Sequence, residues 1–146
     1  MIVKAGSLIA LAVAFIGVLY LFNKDYIFSK NILAIAIQIC AAGLMIWARI
    51  TFGIRSFHAT ANTTKGGLVT NGPYHFLRHP VYASLIYFFG ACAISYPFKE
   101  TIAAILLIIA GLSVRILLEE KSLQETYNQE YKDYSKRTKR IIPFLF

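Results

Sequence analysis

AGSLIALAVAFIGVLYLFN, residues Ala5 to Asn23, carries no formal charge from end to end. Three more stretches read the same way. Asn31 to Ala48 and Pro80 to Phe98 are uncharged, and Thr101 to Leu118 holds a single charge, Arg115. A helix needs about 20 apolar residues to cross the hydrocarbon core of a bilayer, so all four stretches read as spans. None is broken by the Gly, Asn and Pro turns of a β-barrel hairpin array. Lys4 precedes the first stretch, but polar Asn23-Lys24-Asp25 follows it in place of a small-residue cleavage site. The stretch is therefore a transmembrane helix and not a signal peptide. The predicted fold is all-α: one polytopic membrane domain over residues 1–146, with spans at about 5–23, 31–48, 80–98 and 101–118.

Composition agrees. The chain is 58% apolar and only 15% charged, against roughly 45–50% and 25% in soluble domains. Its net charge of +8 therefore reads as membrane topology and attraction to anionic lipid, not as nucleic-acid binding. Cys40 and Cys92 lie in apolar stretches, form no CxxC and have no His at ligand spacing. They read as small buried hydrophobes, and no metal site is expected.

The connections differ. Lys24 to Lys30 is short. Tyr96-Pro97-Phe98-Lys99-Glu100 is a tight turn, predicting an antiparallel hairpin between the third and fourth spans. The segment from Arg49 to His79 is long and carries Arg49, Arg55, Lys65 and Arg78 with no acidic residue. The tail ends in Lys136-Arg137-Thr138-Lys139-Arg140. With four spans, this segment and the tail share a side, and positive-inside bias makes that side and both termini cytoplasmic. In the tail, Leu123, Tyr127, Tyr131 and Tyr134 recur on one face of a helix. This predicts an amphipathic C-terminal helix on the membrane face, with Pro143-Phe144-Leu145-Phe146 dipping into the interface.

Two groups of residues can carry chemistry. Arg115 and Glu119 are four apart and share a helix face, with Glu120 beside them. Ionisable groups inside a span are costly and mark sites, although a snorkelling arginine with a helix ion pair has the same spacing. The second group is Gly72-Pro73-Tyr74-His75-Phe76-Leu77-Arg78-His79-Pro80-Val81-Tyr82. Asn71-Gly72-Pro73 signals a turn, and Pro80 suits the first turn of a helix. Arg78 and His79 thus stand at a helix N-terminus, where anions are favoured. Tyr74 and Tyr82 can face a ring or a cation. An interfacial belt of Tyr, Phe, Arg and His would look the same.

The run Gly72-Pro73-Tyr74 through Arg78-His79-Pro80-x-Tyr82 resembles the signature of the isoprenylcysteine carboxyl methyltransferase family, relatives of the membrane phospholipid methyltransferases. The second block resembles it too: Arg115, Glu119-Glu120, Leu123, Tyr127, Tyr131, Tyr134, then basic residues and Ile142-Pro143. Leu68-Val69-Thr70-Asn71 looks like the family's lead-in. The resemblance covers about residues 66–146. It implies a methyltransferase using S-adenosyl-L-methionine, with Leu68, Val69, Tyr74, Arg78, His79, Pro80 and Tyr82 around the cofactor and Arg115 and Glu119 as catalytic residues at the substrate end. The implied acceptor is lipophilic, most simply an isoprenylcysteine-type carboxylate, with a phospholipid headgroup amine as the alternative. A non-catalytic scaffold or transporter subunit is the alternative of another class. Two departures stand out. Gly66 and Gly67 occupy positions where relatives often carry His or Gln, and only two spans precede the first block, fewer than in the eukaryotic enzymes. No Gly-rich loop after a strand supports a soluble Rossmann-type route.

Overall fold

The computed structural model describes residues 2–53 and 67–142, with side chains from Ala5 onward. Arg55, Lys65, Gly66 and the apolar end Pro143 to Phe146 lie outside the described residues. The elements are α1 (Ile2–Asn23), α2 (Ile32–Phe52), a short 3-10 turn (Gly72–His75), α3 (Pro80–Gly90), α4 (Cys92–Ser95) and α5 (Lys99–Arg137). Among the described residues the only β feature is an isolated bridge between Leu77 and Lys139. The fold is all-helical.

Local chemistry sets the helix ends. α1 closes with Asp25 in the left-handed region at φ 56. The Tyr26 N–H donates to Leu21 O at 2.9 Å and the Asp25 N–H to Phe22 O at 3.1 Å, which is the Schellman pattern with Asp in the place usual for Gly. α2 is capped by Asn31, whose side-chain oxygen accepts from Leu33 N–H at 2.9 Å and Ala34 N–H at 3.4 Å. It runs one turn beyond the expected Ala48, so Arg49 is helical. Pro80 opens α3 as expected.

α5 packs chiefly on α1, and α3 on α2. The close α1–α5 approach is made by small residues. Ala10, Ala14 and Gly17 face Gly111, Ala104 and Ile108, so closely that a Cβ on Gly111 would lie 2.4 Å from Ala10 O. Membrane helices associate through such contacts because lipid supplies no hydrophobic drive between them. Around them lies a core of Leu21, Cys92, Ile105, Ile108 and Leu112.

The tight turn at Tyr96–Phe98 joins α4 to α5, and α3 and α4 both contact α5, while the main partner of α5 is α1. Two expectations need correction. The stretch Pro80 to Phe98 is not helical throughout: the helical hydrogen bonding is interrupted at Ala91, and the helix ends at Ser95. At the interruption Ser29 Oγ donates to Ala91 O at 3.5 Å and Gln38 Nε2 to Phe88 O at 3.4 Å. These polar side chains come from the neighbouring loop and α2. Cys92 is buried as expected, but Cys40 is exposed on the outer face of α2.

The bundle has two ends. One gathers the α1–α2 loop and the α4–α5 turn: Lys30 and Asn31 N–H both donate to Ser95 Oγ at 3.1 Å, and Tyr26 stacks on Tyr96 at 4.3 Å. The other gathers the 3-10 turn, the start of α3 and the end of α5. Among the described residues three helices, α1, α2 and α5, are long and apolar enough to cross a membrane, while Pro80–Ser95 forms a shorter apolar segment. Their outer faces expose Ile9, Phe15, Phe22, Ile39, Ile46, Trp47 and Leu106. Apolar surface on this scale fits lipid and not water, as in an integral membrane protein.

Candidate active site

The second end of the bundle assembles both residue groups singled out from the sequence. The 3-10 turn and the start of α3 supply Tyr74, Arg78, His79 and Tyr82. α5 supplies Arg115, Glu119 and Glu120, spaced so that the first two lie one turn apart.

Tyr82 sits between Arg115 and Glu119. Its hydroxyl donates to Glu119 Oε2 at 2.8 Å and accepts from Arg115 Nε at 2.8 Å. The guanidinium carbon lies 5.9 Å from the Tyr82 ring centroid; with Nε on the hydroxyl, the hydrogen bond and not the ring face holds the pair. Arg115 also donates from Nη1 to Ser7 Oγ on α1 at 3.2 Å. The arginine is 5% exposed, and a charge so buried requires such partners.

Glu120 is a second centre. Its carboxylate accepts from Arg78 Nε at 3.0 Å and from Arg140 Nε at 3.0 Å, and lies 3.3 Å from His79 Nε2. Burial pulls its pKa up, but the hydrogen bonds from His79 and Arg140 and the charges of His79 and Arg78 outweigh it, holding the carboxyl down to about 2. The anion that meets the basic residues at the start of α3 is thus the chain's own Glu120. Arg78 also donates from Nη1 to Ser135 O at 2.8 Å and Thr138 O at 2.7 Å, placing a cation at the C-terminal end of α5, where the helix dipole favours one.

The tail reaches these groups by a kink. Asn128 interrupts α5 at φ 42, ψ −111, and the chain turns back over the 3-10 turn. Tyr134 Oη donates to Tyr74 O at 2.7 Å. Arg78 N–H donates to Lys139 O at 2.7 Å, and Lys139 N–H to Phe76 O at 3.1 Å. Tyr74, Tyr131 and Tyr134 are buried, and burial pushes all three hydroxyls up, keeping them neutral; the nearby charge of Glu119 adds to the rise at Tyr74 and that of Glu120 at Tyr131. Beside the kink an open groove of about 510 Å³ is lined by Leu117, Glu120, Lys121, Gln124, Glu125 and Asn128.

Of the residues expected at the site, Tyr74, Arg78, His79, Tyr82, Arg115 and Glu119 come together, with Pro80 buried beneath them. Leu68 and Val69 lie half-buried in the run before the 3-10 turn, and the polar network among the described residues does not reach them. Two participants were not singled out from the sequence. Arg140 was legible only as part of a basic run, and Ser7 as one polar residue in an apolar span.

The chain matches the phospholipid methyltransferase family over residues 29–130. A probable protein-S-isoprenylcysteine O-methyltransferase of Oryza sativa subsp. japonica is 32% identical over 79 residues, covering 53% of this chain and 41% of that protein. Its counterpart in subsp. indica matches equally. Methanethiol S-methyltransferase 1 of Bradyrhizobium diazoefficiens is 34% identical over 71 residues, 49% of this chain and 24% of that protein. The matched part therefore spans less than half the length of these curated relatives. No solved structure matches the chain.

Proposed function

The chain belongs to the phospholipid methyltransferase family, and from that premise we propose that it methylates a lipophilic acceptor at the membrane boundary using S-adenosyl-L-methionine. The observation that carries this reading is the Tyr82 hydroxyl held between Arg115 and Glu119 at one end of an apolar bundle. It puts a buried cation and a carboxylate side by side where a lipid and a water-soluble donor can meet.

The donor supplies an electrophilic methyl group on a sulfonium. The residues present fit it. Glu119 and the rings of Tyr74 and Tyr82 suit a cationic sulfur. Arg78 and His79 form a basic wall at the helix start, shaped by Glu120, and Leu68, Val69 and Pro80 provide apolar lining. Methyl transfer gains chiefly from in-line alignment and exclusion of water. Arg115 can position an anionic acceptor in a buried setting where its charge is weakly screened.

A carboxylate acceptor of the isoprenylcysteine type needs no general base, only a cation to orient it, and Arg115 meets that need. A headgroup amine is the second reading, favoured by Glu119, whose carboxylate can accept the proton an amine must lose. In either case four crossings are proposed, with Pro80–Ser95 as the third, and with the site and both termini on the cytoplasmic side.

The test is transfer of a labelled methyl group from S-adenosyl-L-methionine to a prenylcysteine analogue, phosphatidylethanolamine or a small thiol, with thermal unfolding in detergent followed in parallel. Stabilisation by S-adenosyl-L-homocysteine and labelling of the prenylcysteine analogue are expected. No stabilisation at saturating ligand would overturn the cofactor assignment. Labelling of phosphatidylethanolamine alone would move the assignment to the amine.

A further inference from the structure

We infer that Ser7 of α1 is a positioning residue for Arg115, so that the first helix completes the substrate end of the site. The inference rests on the proposed role of Arg115 in receiving the acceptor. Ser7 lies outside both the matched family segment, residues 29–130, and the stretch that carries the sequence resemblance.

Ser7 is fully buried, at 0% exposure, in an apolar helix. Its hydroxyl accepts from Arg115 Nη1 at 3.2 Å. A hydroxyl inside a span is costly to leave without a partner, and a buried guanidinium supplies one. The contact is held rigidly. One turn further along each helix, Gly111 is pressed against Ala10 O and Ala14 N, and a Cβ on Gly6 would meet Leu118 at 3.3 Å. α1 and α5 therefore cannot slide without a backbone clash, and Ser7 Oγ is fixed relative to the Arg115 backbone.

The consequence lies in the orientation of the guanidinium. Arg115 and Glu119, four apart on one helix, are spaced to pair directly. Instead Arg115 Nε meets the Tyr82 hydroxyl, which itself donates to Glu119. Tyr82 on α3 and Ser7 on α1, on different helices, each hold one edge of the guanidinium. Without Ser7 the Nη1 edge loses this anchor, and the guanidinium is held less firmly in the plane that keeps it apart from Glu119.

The experiment compares Ser7→Ala and Ser7→Thr with wild type in steady-state methyl transfer, and measures S-adenosyl-L-homocysteine affinity by thermal shift. Ser7→Ala is expected to lower kcat/KM for the acceptor by about tenfold, the size of one hydrogen bond to a buried charge, with cofactor affinity unchanged. Ser7→Thr keeps the hydroxyl and is expected to recover turnover above the alanine variant. Wild-type kcat/KM in Ser7→Ala, or equal loss of cofactor and acceptor terms, would overturn the inference. A double-mutant cycle in thermal unfolding with Arg115→Met separates this result from the proposed function. Failure of wild type to bind S-adenosyl-L-homocysteine would sink the cofactor reading, whereas additive effects of Ser7→Ala and Arg115→Met would sink the Ser7–Arg115 coupling itself.

Discussion

Arg115 and Glu120 carry opposite duties five residues apart on α5. Arg115 is buried at the bundle end and held by two neutral hydroxyls, those of Tyr82 and Ser7. These hydroxyls orient the guanidinium without themselves neutralising it. Arg115→Ala is expected to reduce methyl transfer by roughly 10²–10³-fold, the scale of removing a preorganised charge-stabilising donor, while S-adenosyl-L-homocysteine still stabilises the protein. Equal loss of both in parallel transfer and thermal-shift measurements would remove Arg115 from the substrate end. Arg115→Lys is expected not to rescue, because one ammonium cannot span Tyr82 and Ser7 in the same plane. Glu120 is instead neutralised by the chain's own cations, and its role is to hold the tail. Its folded-state pKa of about 2 lies below the ordinary 4.5. A carboxyl with a depressed pKa stabilises the folded state fully above its unfolded value and loses that contribution as pH falls through the folded one. Docking of the tail is therefore expected to hold above about pH 4.5 and to weaken progressively toward about pH 2. Hydrogen exchange in residues 129–142 across that range reads it. The same acid onset in Glu120→Gln as in wild type would mean that another group controls docking.

At the level of elements, the helices were legible because charge is absent from long stretches and Pro80 marks a start, and Arg115–Glu119 was legible because spacing of four is geometry. The packing was not. Ala10, Ala14, Gly17 and Gly111 look in sequence like any other small apolar residues, and only the assembled α1–α5 pair shows that they are the contact. The polar contacts around Ala91 come from Ser29 and Gln38, residues distant in sequence. Arg140 reaches Glu120 only because α5 kinks at Asn128, a residue type that tolerates positive φ but does not announce it. The close α1–α5 contact has a direct consequence. Gly111→Ala would put a methyl 2.4 Å from Ala10 O and 2.8 Å from Ala14 N. Backbone atoms cannot give way as a flexible side chain can, so the two helices must separate. A loss of about 1–3 kcal/mol is expected, as for other overpacked cores, read as a lowered Tm in detergent. Gly43 on α2 has nothing within 4 Å of the same added atom, so Gly43→Ala should not lower stability and serves as the control. Equal melting of the Gly111 and Gly43 variants would show that α1 and α5 do not meet at this point.

For the whole molecule, the two ends of the bundle set a topology that can be tested without any substrate. Lys24 and Lys99 belong to the end where Tyr26 stacks on Tyr96 and Ser95 Oγ accepts from Lys30 and Asn31. Lys121 and Lys136 belong to the end where Glu120 holds Arg78 and Arg140. Pro80–Ser95 links these ends, yet at 1.5 Å per residue it spans only about 24 Å, short of the roughly 30 Å hydrocarbon core. Two features offset the shortfall. The chain on either side, Arg78–His79 and Tyr96–Phe98, is not helical and advances further per residue than a helix does. The polar pins at Ala91 and Ser95 also lie in the loop layer, so the segment need not present a full-length apolar surface. The proposed four crossings put Lys24 and Lys99 in one compartment and Lys121 and Lys136 in the other. Single cysteines at these four positions, introduced after Cys40→Ala and Cys92→Ala, should label with a membrane-impermeant maleimide in two pairs from opposite faces of sealed vesicles. Labelling of Lys99→Cys from the face opposite to Lys24→Cys would mean that Pro80–Ser95 turns back within the membrane. The acceptor would then have to approach Arg115 without the third crossing as a wall.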